Sequence, residues 1–376
     1  MSAGKSADRV LFRRAALLGT GLIGGSIGMA LREKGLVSTI TGFDRDEANS
    51  RKAVQRKAVD LTADSAVKAI RDADLVILAV PVISAVEVLQ EIMPAVGSGT
   101  IITDVGSTKS AIMAAVEQIL PAGASFIGGH PMAGSEESGI ESADPGLLEN
   151  AIYVLTPAPG TSGQAVGKLS TLVEEIGSQP IILDPLKHDR IVALISHLPH
   201  ITAASLVQSV AGAEDMELVR TLAAGGFRDS TRIALGNPDI WRDICISNRW
   251  ALLAALKSFK ASIDRMEKYL AEPNAEGIKE YLLQARDYRS AIPHRGRGIL
   301  PEIYTLIVLV RDTPGVLAKI TGLLGDAGIN IDAIEIMHIR ELSGGSIRLG
   351  FKTKKQQQKA LHLLKEKGYY VNCPED

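Results

Sequence analysis

Four of the chain's histidines fall between residues 130 and 200, in segments where an imidazole could act on a substrate. His130 precedes Pro131, which holds the backbone extended while the ring points into a cleft. Titrating near neutrality, such a ring can take a hydroxyl proton while hydride leaves the same carbon; the alternative is a histidine satisfied at a strand end. Ser107 follows a β-rich run near a helix start, so its hydroxyl either caps that helix or faces a ligand. His197 and His200 stand three apart around Pro199 on one helix face. No acid cluster accompanies them, and no metal is expected. Arg232 is placed in the first turn of a helix capped by Asp229 or Ser230. There a guanidinium and the positive helix end can grip a carboxylate through two parallel hydrogen bonds; a surface ion pair is the plainer alternative. Arg228 and Asp229 share that loop, Glu136 either gates the pocket or answers Arg232, and Trp241 is read first as core. A proton acceptor and a carboxylate anchor without a metal or a covalent nucleophile suit oxidation of a carbinol.

Such an oxidation needs a hydride acceptor, and Gly19, Gly21 and Gly24 supply G-x-G-x-x-G between a β-rich run and the helical pattern Leu22 to Lys34. Gly19 permits the tight turn, Gly21 lets backbone amides approach a pyrophosphate, and Gly24 lets the helix pack close to the strand. Leu22 and Ile23 complete the turn. Asp44 closes the next strand about 25 residues after the first glycine, where a carboxylate binds ribose hydroxyls and repels a 2′-phosphate. It argues for NAD over NADP, and the adjacent Arg45 weakens the choice.

The elements that must position these residues change character along the chain. Short β-rich runs at Ala15 to Leu18, Thr39 to Phe43, Leu75 to Val80, Thr100 to Thr103, Ser125 to Ile127, Ile152 to Leu155 and Pro180 to Leu183 alternate with helical patterns. They predict an α/β domain over 1–183 with a Rossmann-like parallel sheet of buried strands. Helix-period sequence then runs to about Arg289, predicting an all-α domain over 184–295 whose surplus apolar positions suit dimerisation. A linker at Ile292 to Pro301 leads to a βαββαβ unit over 301–376, a ferredoxin-like pattern of roughly 75 residues that is a marginal core alone.

Hydrophobic residues make up 46% and charged residues 22%, enough apolar surface to fold. Lysine plus arginine number 41 against 43 acids, leaving no basic field for nucleic acid or an anionic membrane. Cys245 and Cys373 have neither metal nor redox spacing and read as reduced thiols. Arg13, Arg14 and the apolar stretch Ala15 to Leu31 imitate a signal peptide, but the glycines there serve a phosphate-binding turn. No other run approaches the ~20 residues of a membrane span, and a cytoplasmic location is expected.

GTGLIGGS (Gly19 to Ser26), DVGSTK (Asp104 to Lys109), GGHPMAGSE (Gly128 to Glu136), SHLPH (Ser196 to His200) and GGFRDSTRIA (Gly225 to Ala234) together resemble the motifs of the prephenate dehydrogenases. They occur in the same order with similar spacing over about residues 14 to 295. The resemblance implies NAD-dependent oxidative decarboxylation of prephenate to 4-hydroxyphenylpyruvate in tyrosine biosynthesis. It makes His130 the catalytic histidine, sets Ser107 beside the nicotinamide, gives His200 and Trp241 substrate contacts and His188 a further motif position, and makes Arg232 the carboxylate anchor. Arogenate dehydrogenases share these motifs. A non-catalytic amino-acid sensor would have no need for His130, Ser107 and Arg232 together. Asp312 to Leu317 and Ala327 to Ile331 resemble an ACT domain over about 302 to 373, which implies an amino-acid ligand held near Asp312, Gly315 and Asn330, and the pathway the first resemblance implies makes it L-tyrosine acting as an inhibitor. The plainer reading of that unit is a domain that only stabilises a dimer.

Overall fold

The structure, a computed structural model, describes residues 10–134, 137–212, 214–292, 304–311, 313–338 and 344–373. Glu136, Asp312 and the linker beyond Ile292 therefore lie outside the described residues. The chain divides into two compact units, Met1–Gly298 and Ile299–Asp376.

The first unit is built on eight strands: β1 (Phe12–Leu18), β2 (Val37–Phe43), β3 (Leu61–Thr62), β4 (Leu75–Leu78), β5 (Ile101–Asp104), β6 (Ser125–Pro131), β7 (Ile152–Pro157) and β8 (Gln179–Ile182). They lie in the order β3-β2-β1-β4-β5-β6-β7-β8. The order reverses between β1 and β4, the point at which a doubly wound sheet opens a crevice for a dinucleotide. Alternation of side chains explains the layers. Ala15, Leu17, Leu75 and Ile77 face one apolar cluster, with residues of the helices Leu22–Lys34 and Gly163–Glu175. Ala16, Leu18, Val76 and Leu78 face the other, with the helices Val82–Ile92 and Ser110–Ile119. The stretch that imitates a signal peptide is β1 and its following helix, buried in this core.

Three details depart from the expected sheet. β7 runs antiparallel to β6, although β8 is parallel to β7. An antiparallel neighbour needs no crossover helix. The connection instead folds over the first helix, where Asp144 N–H donates to Ser26 Oγ at 3.0 Å. β8 is an edge strand and only partly buried, while the two-residue β3 is too short to show a period.

After β8 the chain is helical to Ala291. Pro185–Val210 is one helical run interrupted by a π turn at Ala193–His197. Contrary to expectation, it is long and apolar enough to cross a membrane by length and composition, a test that core helices of globular proteins also pass. This run carries His188, His197 and His200. Exposed Leu194, Ile195 and Leu253 lie on the helical part.

The second unit holds β9 (Tyr304–Arg311), β10 (Ala333–His338), β11 (Gly344–Phe351) and β12 (Tyr370–Asn372), in the antiparallel order β10-β11-β9-β12. The helices Val316–Asp326 and Lys354–Glu366 cover one face, closing a core of Leu306, Val308, Ile320, Leu349, Phe351 and Leu364. This is the ferredoxin-like arrangement the βαββαβ pattern predicts. Gly315, at φ +84°, precedes the first of these helices, and exposed Asn330 follows its far end. Eleven residues of helix span ~16 Å, which separates the two along its length.

Candidate active site

At the crevice, Gly19 has φ +91°, and a Cβ there would sit 2.3 Å from the Ala79 carbonyl oxygen that closes the neighbouring strand. Only glycine fits this turn. Gly21 caps the helix Leu22–Lys34 without any side-chain hydrogen bond and has open space around its Cα. The helix start is thus free to meet a pyrophosphate with its positive end. Asp44 stands beyond β2, where Oδ2 accepts from Thr20 N–H (2.8 Å) and Thr20 Oγ (3.1 Å), and Oδ1 from Asp46 N–H (3.0 Å). The carboxylate is held in place with acceptor capacity to spare for ribose hydroxyls. Arg45 is exposed, 3.7 Å from Glu87. These residues fit a dinucleotide: a glycine cradle, an uncapped helix start and a ribose acid.

His130 sits near the end of β6, and the residue before it is clamped. Asp104 Oδ1 accepts Gly129 N–H at 3.0 Å, and Lys109 Nζ donates to Gly129 O at 2.8 Å while pairing with Asp104 Oδ2. A Cβ on Gly129 would lie 2.4 Å from Asp104 O, which explains a glycine there. Lys109 is fully buried, and burial lowers its pKa against the opposing pull of Asp104.

Behind His130 stands a chain of hydrogen bonds. His130 Nδ1 lies 2.8 Å from His188 Nε2, and His188 Nδ1 lies 2.8 Å from Asp189 Oδ1. An ionised carboxylate only accepts, so His188 carries its proton on Nδ1; its bare Nε2 accepts from His130 Nδ1–H. His130 in its neutral form therefore keeps Nε2 unprotonated. Asp189 also receives Lys109 N–H and Ser110 N–H, both at 2.8 Å. Burial raises its pKa, but the hydrogen bonds from His188, Ser110 and Lys109 outweigh this and leave it lowered.

Those two amides begin the helix Ser110–Ile119, which has no side-chain cap from its own N-cap residue, Lys109. Capping by Ser107 is thus not what the structure holds; Asp189, eighty residues away in sequence, takes that role. Ser107 is half-buried in the loop between β5 and this helix.

His197 and His200 enter from the π turn and the helix Leu198–Val210. His200 stacks on Trp241 with ring centroids 3.5 Å apart, and Trp241 meets His197 edge-on at 6.1 Å. Trp241 is half-buried and covers both rings, so it is more than core filling. Buried Asn248 donates to His197 Nδ1 (3.2 Å) and to the Asp189 carbonyl (2.8 Å), joining the two groups of residues. Burial above all depresses the His197 pKa to about 4, against the pull of Asp189. Among the described residues, the buried His200 Nδ1 has no hydrogen-bond partner.

Arg232 departs from expectation. The helix is Gly225–Thr231, so Asp229 and Ser230 lie inside it and Arg232 follows its C-terminal end. Ser230 Oγ donates back to Gly226 O at 2.6 Å instead of capping. Any carboxylate grip by Arg232 rests on its guanidinium and not on a positive helix end. Arg228, Asp229 and Arg232 are all exposed, and the turn Arg232–Leu235 packs on the helix that carries His200. Asp104, Lys109, Asp189 and Asn248 escaped the sequence reading. Asp104 and Lys109 were visible as an acid at a strand end and a base at a helix start. Asp189 beside His188 gave only a weak cue, and Asn248 gave none.

Fold and site define an NAD-dependent dehydrogenase. Family models match residues 27–182 (prephenate dehydrogenase, nucleotide-binding domain), 184–284 (prephenate dehydrogenase, dimerization domain) and 304–353 (ACT domain). The prephenate dehydrogenase of Bacillus subtilis (strain 168) is 38% identical over 94% of this chain and 96% of its own length. The chain belongs to the prephenate dehydrogenase family. Among solved structures, prephenate dehydrogenase from A. aeolicus in complex with hydroxyphenyl propionate and NAD+ is 30% identical, with a TM-score of 0.70 over 75% of this chain and 98% of that one. Synechocystis arogenate dehydrogenase is 32% identical, with a TM-score of 0.67 over 74% and 100%. The dimerization-domain match makes the chain a component of a homo-oligomer through its helical part.

Proposed function

We propose that the chain oxidises and decarboxylates prephenate to 4-hydroxyphenylpyruvate, and the observation that carries this is the hydrogen-bonded chain from His130 Nδ1 through His188 to Asp189, which leaves Nε2 of His130 to act as the base. The substrate's ring hydroxyl faces that nitrogen, with Ser107 beside it, and a substrate carboxylate meets Arg232. Arg228 and Asp229, on the helix just before Arg232, assist that grip, and His200 with Trp241 lines the pocket. Gly19 to Gly24 and Asp44 would hold NAD by its pyrophosphate and ribose, and the cofactor would supply the acceptor for the carbinol hydride. His130 holds the hydroxyl proton as the ring carboxylate leaves as carbon dioxide, and aromatisation makes the reaction effectively irreversible. Orientation and a placed proton acceptor are the chain's own contributions.

The three-part division, with a dinucleotide domain over 1–183, a helical dimerisation and substrate domain over 184–295 and a regulatory domain over 301–376, belongs to the same reading. So do L-tyrosine as effector and a cytoplasmic location. Arogenate is the second reading, favoured by the likeness to an arogenate dehydrogenase. Activity with prephenate and arogenate, each with NAD and NADP, decides: NADH formation with prephenate is expected, and turnover of arogenate alone removes the first reading.

A further inference from the structure

We infer that His130, on taking the substrate's proton, hands its own Nδ1 proton to His188, which carries the charge during turnover as an imidazolium held against the carboxylate of Asp189. The inference rests on His130 being the base, as in the reading above, and on where a positive charge can be kept in this site.

His130 itself is a poor store. Burial pushes its basicity well below the ordinary histidine value, and His188, Lys109 and His197 all oppose a charge there. No carboxylate hydrogen-bonds to its ring among the described residues. His188 is 1% exposed, but its Nδ1 touches a carboxylate that is itself wholly buried. Asp189 is kept anionic by two backbone amides at the start of a ten-residue helix, whose positive end adds to the same effect. A proton moved one hydrogen bond further thus goes from a site without a counter-ion to one beside it. The charged and titratable groups facing the two rings are Asp189, Lys109 with its partner Asp104, and His197.

The transfer balances. The substrate O–H bond breaks and an N–H bond forms at His130 Nε2; the His130 Nδ1–H bond breaks and an N–H bond forms at His188 Nε2. The electrons of the carbinol C–H bond leave as hydride to the nicotinamide cofactor. His130 ends neutral in its other tautomer, and His188 ends with both nitrogens protonated. After product departs, His188 returns its proton to His130 Nδ1 as Nε2 releases its own to water.

His188 is thereby a positioning residue with a proton-holding role, tested without reliance on any substrate by nitrogen NMR of the full-length protein labelled at histidine. The seven histidines can be assigned by single substitutions. Expected in the resting protein are protons on Nδ1 of both His130 and His188, and as pH falls His188 becomes doubly protonated before His130 does. A resting His130 protonated on Nε2, or His130 charging first, overturns the relay. His188→Gln keeps an acceptor for His130 but takes no proton. It should lower kcat at least tenfold, hold KM within about threefold, and move the acid limb of the kcat profile to lower pH, toward the weaker basicity of His130 alone. A fall in kcat with an unmoved limb marks a structural role and sinks the idea. If the wild type turns over neither prephenate nor arogenate the functional reading fails, while the tautomer measurement still judges the relay.

Discussion

Lys109 and Asp104 hold the backbone on both sides of Gly129, the carboxylate accepting its N–H at 3.0 Å and the ammonium donating to its C=O at 2.8 Å. His130 is the next residue, and Ser107 lies in the loop between the two partners. One buried ion pair therefore anchors both the backbone beside the base and the two ends of the loop that carries the serine. Removing one member leaves the other charge buried and uncompensated, which costs about 3–5 kcal/mol. Lys109→Met should lower unfolding free energy by that order in urea titrations. Asp104→Asn combined with Lys109→Met should recover part of it. If the double variant is as unstable as the sum of the two singles, the pair is not coupled.

His130→Asn removes the base and retains a side chain of similar size. Turnover is expected to fall by about 10²–10⁴, the typical contribution of general-base catalysis, with KM little changed. Steady-state rates with prephenate and NAD check this. A variant that keeps wild-type kcat takes His130 out of the mechanism.

What could be read in advance divides by range. The glycine turn, Asp44 and the alternating strands declare themselves within some 25 residues, because helix and strand periods and turn chemistry are local. Contacts across the fold left no such trace. Asp189 reaches the helix Ser110–Ile119 from far along the chain, whereas the local sequence offers only nearby hydroxyls such as Ser107 as candidate caps. Nothing local to His188 shows that its ring meets His130, fifty-eight positions earlier. The misplaced helix at Arg232 has a different cause: Gly225 and Gly226 occupy its first turn, where poor helix formers and no capping side chain hide the start.

Arg232→Ala should raise KM for prephenate while kcat changes less. Loss of a charge-assisted contact is worth roughly 1.5–3 kcal/mol, or roughly 10- to 100-fold in KM. Because Arg232 follows a helix C-terminus, no helix dipole compensates, and Arg232→Lys should recover only part of the loss. An unchanged KM in the alanine variant dismisses the anchor.

His197 ties stability to pH. Its pKa falls from the ordinary 6.5 to about 4 in the folded chain, so between these values the unfolded chain binds a proton that the folded one refuses. Stability then drops as pH falls through this window, by up to roughly 3 kcal/mol from this residue at about 1.36 kcal/mol per unit. Urea unfolding at pH 7 and pH 5 should show a smaller decline for His197→Gln than for the wild type. Equal declines would mean that the buried ring is accommodated when charged.

The C-terminal unit provides the last prediction. It has its own core of Leu306, Val308, Leu349 and Phe351, and it forms a compact unit separate from the dehydrogenase. Its expected ligand residues Gly315 and Asn330 stand at opposite ends of one eleven-residue helix. An amino acid that needs both must therefore meet two copies, which the homo-oligomer supplies. Tyrosine should raise the apparent KM for prephenate in the full chain, with a coupling of about 1–3 kcal/mol, and the response to tyrosine should be sigmoidal. A chain ending after Ala291 should lose that inhibition while retaining turnover. Equal inhibition of both chains would place tyrosine in the active site as a product mimic. A hyperbolic response in the full chain would show that one copy suffices.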